Sequence, residues 1–178
     1  MAITKIQSES LNLADTYAFT GTVTGAGESN APYFLATRDS TAQDIGYTGV
    51  FTKLQFNGEI HDSNSAYDHT TNYRFTPQTA GKYAIFLNAR FDATVSQNTQ
   101  PHLRSAIYKN GSTTIAQQVF RSSSSQRSWV CSLYGLVDLN GSTDYIEAFG
   151  YSNAVSSGST ELAHGIASSS FGGYLLAT

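Results

Sequence analysis

The chain has 178 residues, a formal net charge of −3 and only 13% charged residues, about half the usual share; Ser, Thr, Asn, Gly and Tyr fill the gap, a composition that suits strands and turns better than long solvated helices. With no basic stripe to neutralise phosphates, an ordinary nucleic-acid-binding module is excluded, and no apolar run approaches the ~20 residues of a membrane span, so membrane insertion is not expected. The length suits one domain with an appendage.

Residues 1–30 read differently from the rest. Ile3, Ile6, Leu11, Leu13, Phe19 and Val23 are scattered without a helical stripe, Thr20 to Gly25 forms a Thr/Gly/Val ribbon, and Gly25-Ala26-Gly27 breaks it. The opening MAITKIQSES has no apolar signal-peptide core, so synthesis in the cytoplasm is expected. A segment this short cannot bury its own apolar residues, and a terminus frays unless tied down. The expectation is an anchoring arm over residues 1–30, those six apolar side chains gripping another subunit or another protein, followed by a head domain over residues 31–178. The competing reading is an ordinary first strand of the head.

From Ala31 the strands come regularly. Ala31 to Thr37 is apolar and extended. Phe51 to Phe56 alternates and ends at Asn57-Gly58, a pair that tolerates positive φ at both positions and so predicts a hairpin turn. The stretch Tyr73 to Phe91 turns at Thr76-Pro77-Gln78-Thr79-Ala80-Gly81. It then alternates, with Tyr83, Ile85, Leu87, Ala89 and Phe91 on a core face and Ala84, Phe86, Asn88, Arg90 and Asp92 on the other, the later part of which is expected to meet water or a partner subunit. Leu103 to Lys109 and Thr113 to Phe120 make a hairpin about Asn110-Gly111. Ser122 to Ser125 is a loop. Trp129 to Leu139 places Trp129, Cys131, Leu133, Gly135, Val137 and Leu139 on one face before Asn140-Gly141. Asp144 to Tyr151 is a strand, Ala154 to Thr160 a polar loop and Ser170 to Ala177 the last strand. Short strands with Asn-Gly punctuation and almost no helix signal predict an all-β sandwich or barrel.

Several pieces of this pattern resemble a known family. Phe75, five residues and then Gly81-Lys82-Tyr83 resembles the signature of the globular head of complement component 1q, a relative of the tumour necrosis factor jelly rolls, with Ile85 where that family usually has Phe. Val137-Asp138-Leu139 with Gly141 and Asp144 is similar to its late turn, and Phe171-Gly172-Gly173-Tyr174-Leu175-Leu176 to its closing strand. The resemblance covers roughly residues 45–178. It implies a two-sheet jelly-roll sandwich that assembles as a homotrimer. Tyr73, Phe75, Tyr83, Ile85, Phe86, Trp129, Phe171 and Tyr174 then become core or trimer-contact candidates, because Tyr and Phe are favoured where one end of a ring is dry and the other wet. The arm, opening Met-Ala-Ile-Thr-Lys-Ile, resembles the leaders of tailed-bacteriophage fibre and structural proteins. Together the two resemblances imply a virion structural protein on capsid or tail. Its partners are other virion proteins through the arm, and its distal loops, Ser122–Ser128 and Val155–Ser159, are candidates for contact with a host-surface glycan or protein. The alternative is a free trimeric glycan- or protein-binding module of the complement component 1q type.

Catalysis and cofactors are not expected. No Gly-x-Ser-x-Gly elbow occurs, Gly81-Lys82 lacks the preceding glycine of a phosphate loop, and the Asp and Glu residues offer no evident pair for glycoside hydrolysis. His61-Asp62 and Asp68-His69 share a loop, but their spacing matches no standard metal motif. Cys131 lies in an apolar run and reads as a small buried hydrophobe. Asn110-Gly111-Ser112 and Asn140-Gly141-Ser142 match glycosylation sequons and read as hairpin turns.

Overall fold

The computed structural model describes residues 32–94, 102–122, 126–153 and 159–178. The predicted arm, its six anchor side chains, and parts of the Ser122 and Ala154 loops lie outside the described residues. Within them the chain forms thirteen strands and no helix. These are β1 (Tyr33–Thr37), β2 (Gln43–Gly46), β3 (Thr48–Lys53), β4 (Gly58–Asp62), β5 (Tyr67–Asp68), β6 (Arg74–Phe75) and β7 (Ala80–Ala93), followed by β8 (His102–Lys109), β9 (Thr113–Arg121), β10 (Ser128–Asn140), β11 (Ile146–Asn153), β12 (Thr160–Leu162) and β13 (Ser170–Ala177).

The strands divide into two antiparallel sheets. In the seven-stranded sheet the 14-residue β7 is the spine. β10 pairs along one edge of it from Ala80 to Asp92, while β13 and β12 share the other edge end to end. β1 and β4 extend the sheet beyond β13, and β2 beyond β12. The six-stranded sheet centres on β11, with β8 and then β9 on one side and β3 and β6 on the other; β5 lies beyond β6. Packed face to face, the sheets make the predicted jelly-roll sandwich.

The period-two pattern explains why the core lies where it does. Tyr83, Ile85, Leu87, Ala89 and Phe91 are all buried, as are Trp129, Cys131, Gly135, Val137 and Leu139; Leu133 on the same face is half-buried, and Val130, Ser132, Tyr134, Leu136 and Asp138 on the opposite face of β10 are exposed. Across the sandwich Phe34 stacks on Phe75 at 4.3 Å and on Tyr67 at 5.1 Å, and within its own sheet it meets Phe171 edge-on at 5.1 Å. Each such fully buried ring contributes about 1.5–3 kcal/mol relative to exposure. The two buried tyrosines find acceptors for their hydroxyls: Tyr67 donates to the Phe56 carbonyl at 3.0 Å and Tyr83 to that of Thr79 at 2.7 Å. Burial raises both phenol pKa values, Tyr83 to about 12. Burial likewise pushes the Cys131 thiol up, as befits a core residue.

Two predicted hairpins are corrected. Phe51 to Phe56 does not return on itself at Asn57-Gly58: β3 pairs with β11 in one sheet and β4 with β1 in the other. The Asn140-Gly141 turn likewise carries the chain from β10 in the seven-stranded sheet to β11 in the six-stranded one. A jelly roll alternates sheets, so a tight turn here bridges layers rather than neighbouring strands. The Asn110-Gly111 hairpin stands as predicted, with both residues at positive φ (54° and 74°) and Lys109 opposite Thr113. Strands β2 and β12, four and three residues long, were not foreseen.

Candidate functional site

The outer face of the seven-stranded sheet is apolar across its middle. Register places Leu136, Ala84, Tyr174 and Tyr33 in one row, and Tyr134, Phe86, Gly172, Leu35 and His61 in the next. Leu136 and Tyr134 are 53% and 58% exposed and Tyr33 46%, whereas Ala84, between Leu136 and Tyr174, is fully covered. Gly172 has a structural reason: a Cβ built on it would lie 2.4 Å from the Phe86 ring. The glycine lets Phe86 lie flat across the sheet. Beside it Tyr33, Phe34, Phe86, Gly173 and Tyr174 line a shallow hollow of about 330 Å³.

Both ends of this apolar belt are polar. At one end Lys82 and Asp138 form an exposed ion pair. At the other, Arg90 Nε donates to Asp92 at 3.0 Å and to Ser128 Oγ at 3.1 Å, and Ser128 donates to Asp92 at 2.6 Å. A hollow of about 420 Å³ opens there, lined in part by Arg90, Asp92, Glu161 and His164. Register sets Glu161 opposite Asp92, so the structure supplies a carboxylate pair that the sequence hid, its members lying 69 positions apart. Asp92 is committed to Arg90 and Ser128. An apolar band of exposed aromatics with a charged rim is the anatomy of a subunit contact.

The sequence candidates separate cleanly. Phe75, Tyr83, Ile85, Trp129 and Phe171 are core. Phe86 and Tyr174 are half-buried on the outer face. Tyr73 belongs to neither group: it sits half-buried in the loop before β6 with φ at 50°. Tyr134, Leu136 and Val130, the most exposed members of the face, escaped the candidate list. The alternation on β10 was the signal, but it drew attention to the inward set.

The His/Asp loop is built from its own amides. Asp68 accepts the backbone N–H groups of Thr70, Thr71 and Asn72 and the Asn72 side-chain amide. These hydrogen bonds, that of Thr71 foremost, hold its carboxyl well below the usual range. Asp62 accepts the N–H groups of Asn64 and Tyr67, and His69 faces Glu59 at 3.1 Å. Among the described residues no three His, Cys, Asp or Glu side chains converge as metal ligands.

With this geometry in view, comparison with solved structures gives a consistent result. The globular domain of zebrafish complement 1qA superposes with a TM-score of 0.54 at 17% identity, over 82% of this chain and 97% of that one. Eiger TNF from S. frugiperda gives 0.60 at 11% identity, covering 82% and 92%. Murine APRIL gives 0.56 at 12%, covering 81% and 99%. The fold is the complement 1q and tumour necrosis factor jelly roll. No family model and no curated protein matches the sequence. At these identities the likeness fixes the architecture of the head and leaves its role to the residues themselves.

Proposed function

We propose that this chain is a bacteriophage virion structural protein whose jelly-roll head forms a homotrimer and whose residues 1–30 anchor it to capsid or tail. The observation that carries the trimer is the apolar outer face of the seven-stranded sheet, where Tyr33, Tyr134 and Leu136 stay exposed on one side of the sheet. Covering such a face on each of three copies removes from water the rings that a single sandwich core cannot hold. The particle context is supported by the arm, whose Met-Ala-Ile-Thr-Lys-Ile opening and Thr/Gly/Val ribbon resemble leaders of tailed-phage proteins. We read the chain as non-catalytic, a reading supported by the commitment of Asp92 to Arg90 and Ser128.

Deleting residues 1–30 tests both halves. The truncated protein should elute and scatter light as a trimer yet be missing from purified particles. Incorporation of the truncated chain would refute the anchor, and a monomeric mass would refute the trimer. The second reading, a free binding module, draws on the likeness to the complement 1q head. It requires the full-length chain to occur as a discrete soluble trimer absent from particles.

A further inference from the structure

The outer face of the six-stranded sheet carries a different surface. Its end nearest residues 94 and 102 gathers rings from three strands distant in sequence. Phe51 on β3 lies 5.2 Å from Tyr151 on β11, and Tyr151 lies 5.1 Å from His102 on β8. All three stay half-buried, so part of each ring faces outward. The Arg104 guanidinium sits over the Tyr151 ring at 4.9 Å, and Arg121 is exposed opposite His102 across the β8–β9 ladder.

The charges here are not balanced. Among the described residues the ion pairs are Lys53 with Glu147, His69 with Glu59, Lys82 with Asp138, Arg90 with Asp92 and Lys109 with Asp144. Neither Arg104 nor Arg121 has a carboxylate partner among them, although the whole chain is net acidic. Arg104 Nε donates to His102 Nε2 at 2.7 Å, which occupies one nitrogen of the fork and leaves the two terminal ones to be shared. It also fixes His102 as an acceptor there. Burial, with Arg104 and Arg121 adding to it, lowers the His102 pKa, so the positive charge of the cluster resides on the arginines.

We propose that this end of the face binds an anionic saccharide, with the Phe51 ring packing on the sugar and Arg104, seated over Tyr151, holding its acidic group together with Arg121. A sugar ring presents an apolar C–H face that packs on an aromatic ring and an equatorial rim of hydroxyls. A guanidinium fork receives a carboxylate or sulfate through paired N–H donors. A nucleic acid fits poorly, because its affinity depends on a run of phosphate contacts that two arginines cannot supply.

The proposal deepens the attachment element of the proposed function but is tested on the soluble full-length chain, so it can fail while particle assembly stands, and the reverse. Calorimetric titration would use four probes: a sialic acid tetramer, a heparin-derived tetrasaccharide, neutral maltotetraose and an eight-residue oligothymidylate. Saturable binding of one or both anionic sugars is expected, the sialic acid probe reporting carboxylate recognition and the heparin probe sulfate recognition. Arg104→Ala with Arg121→Ala should weaken it about tenfold or more, with the thermal melt retained. If that variant unfolds, the exposed Arg121→Ala alone should still lower affinity. Equal binding of maltotetraose, equal or tighter binding of oligothymidylate, indifference of a folded Arg121→Ala variant, or no binding at millimolar probe would each overturn the proposal.

Discussion

The two outer faces of this sandwich are made from the same residue types and are built to opposite ends. On the seven-stranded sheet Phe86 lies across Gly172, with Tyr134, Leu136, Tyr33 and Tyr174 around it and charge only at the rims. On the six-stranded sheet Phe51, Tyr151 and His102 are interleaved with Arg104, and Arg121 stands at the edge. A flat ring over a glycine makes a level, uncharged plane suited to another protein surface. A ring beneath a guanidinium stays wet, because removing an unpaired arginine from water is costly. The difference between the faces lies in the charges that accompany the rings.

The largest effect should come from the core that both faces share. Phe171 is fully buried and touches Phe34, Phe56 and Tyr67. Phe171→Ala is expected to cost about 3–5 kcal/mol, seen as a lower denaturant midpoint, and to weaken the proposed trimer and the proposed saccharide binding together. Next comes a separation of the faces. Leu136→Asp should convert the proposed trimer to monomer in light scattering, whereas Val119→Asp, similarly exposed but on β9 facing with Arg104, should leave that trimer intact. If both substitutions dissociate it, the assignment of the two faces is wrong. Gly172→Ala drives a methyl into Phe86 and is expected to cost about 1–3 kcal/mol by tilting that ring off the plane. A calorimetric melt of the variant should show the loss, and one matching the parent would mean that Phe86 moves freely.

How much of this was legible in the sequence depended on how far apart the cooperating residues lie. The inward set on β10, the β8–β9 hairpin, both faces of β7 and the bounds of β13 follow from alternation and turn chemistry within one stretch. Asn57-Gly58 misled because its backbone preference is local, while the choice of sheet for β3 and β4 depends on β11 and β1. The three residues of β12 are too few to show a period. The ring-and-arginine cluster joins residues 51, 102–104, 121 and 151, and the Asp92–Glu161 pair joins β7 to β12. No spacing rule reaches across such gaps.

Smaller effects sharpen the contrast at its edges. Asp68→Ala removes the acceptor of three loop amides ahead of β6 and is expected to cost about 1–3 kcal/mol. Its carboxyl is held below the ordinary value, so its contribution is complete above the unfolded pKa of about 4 and fades as pH falls further. The variant should therefore lose acid sensitivity in a pH series of melts. The smallest shift concerns His102. With its folded pKa lowered, the unfolded chain takes up the proton first. Stability should decline as pH drops below about 6.5, and His102→Gln should flatten that slope without touching the trimer.

The end-to-end sharing of β7 by β13 and β12 has a mechanical consequence. The chain enters the head beside Leu175, whose N–H donates to the Pro32 carbonyl, at the end where β7 begins; the loops around residues 94, 122 and 153 lie at the other. A tether at one end and a grip at the other would pull along the ~48 Å of this strand. Its ladder bonds run perpendicular to that pull, so they are loaded in shear and must break together. At the junction between β13 and β12 the Arg90 N–H donates to Ser169 Oγ and the Arg90 carbonyl accepts from Ala163, so the one gap along that edge is laced shut.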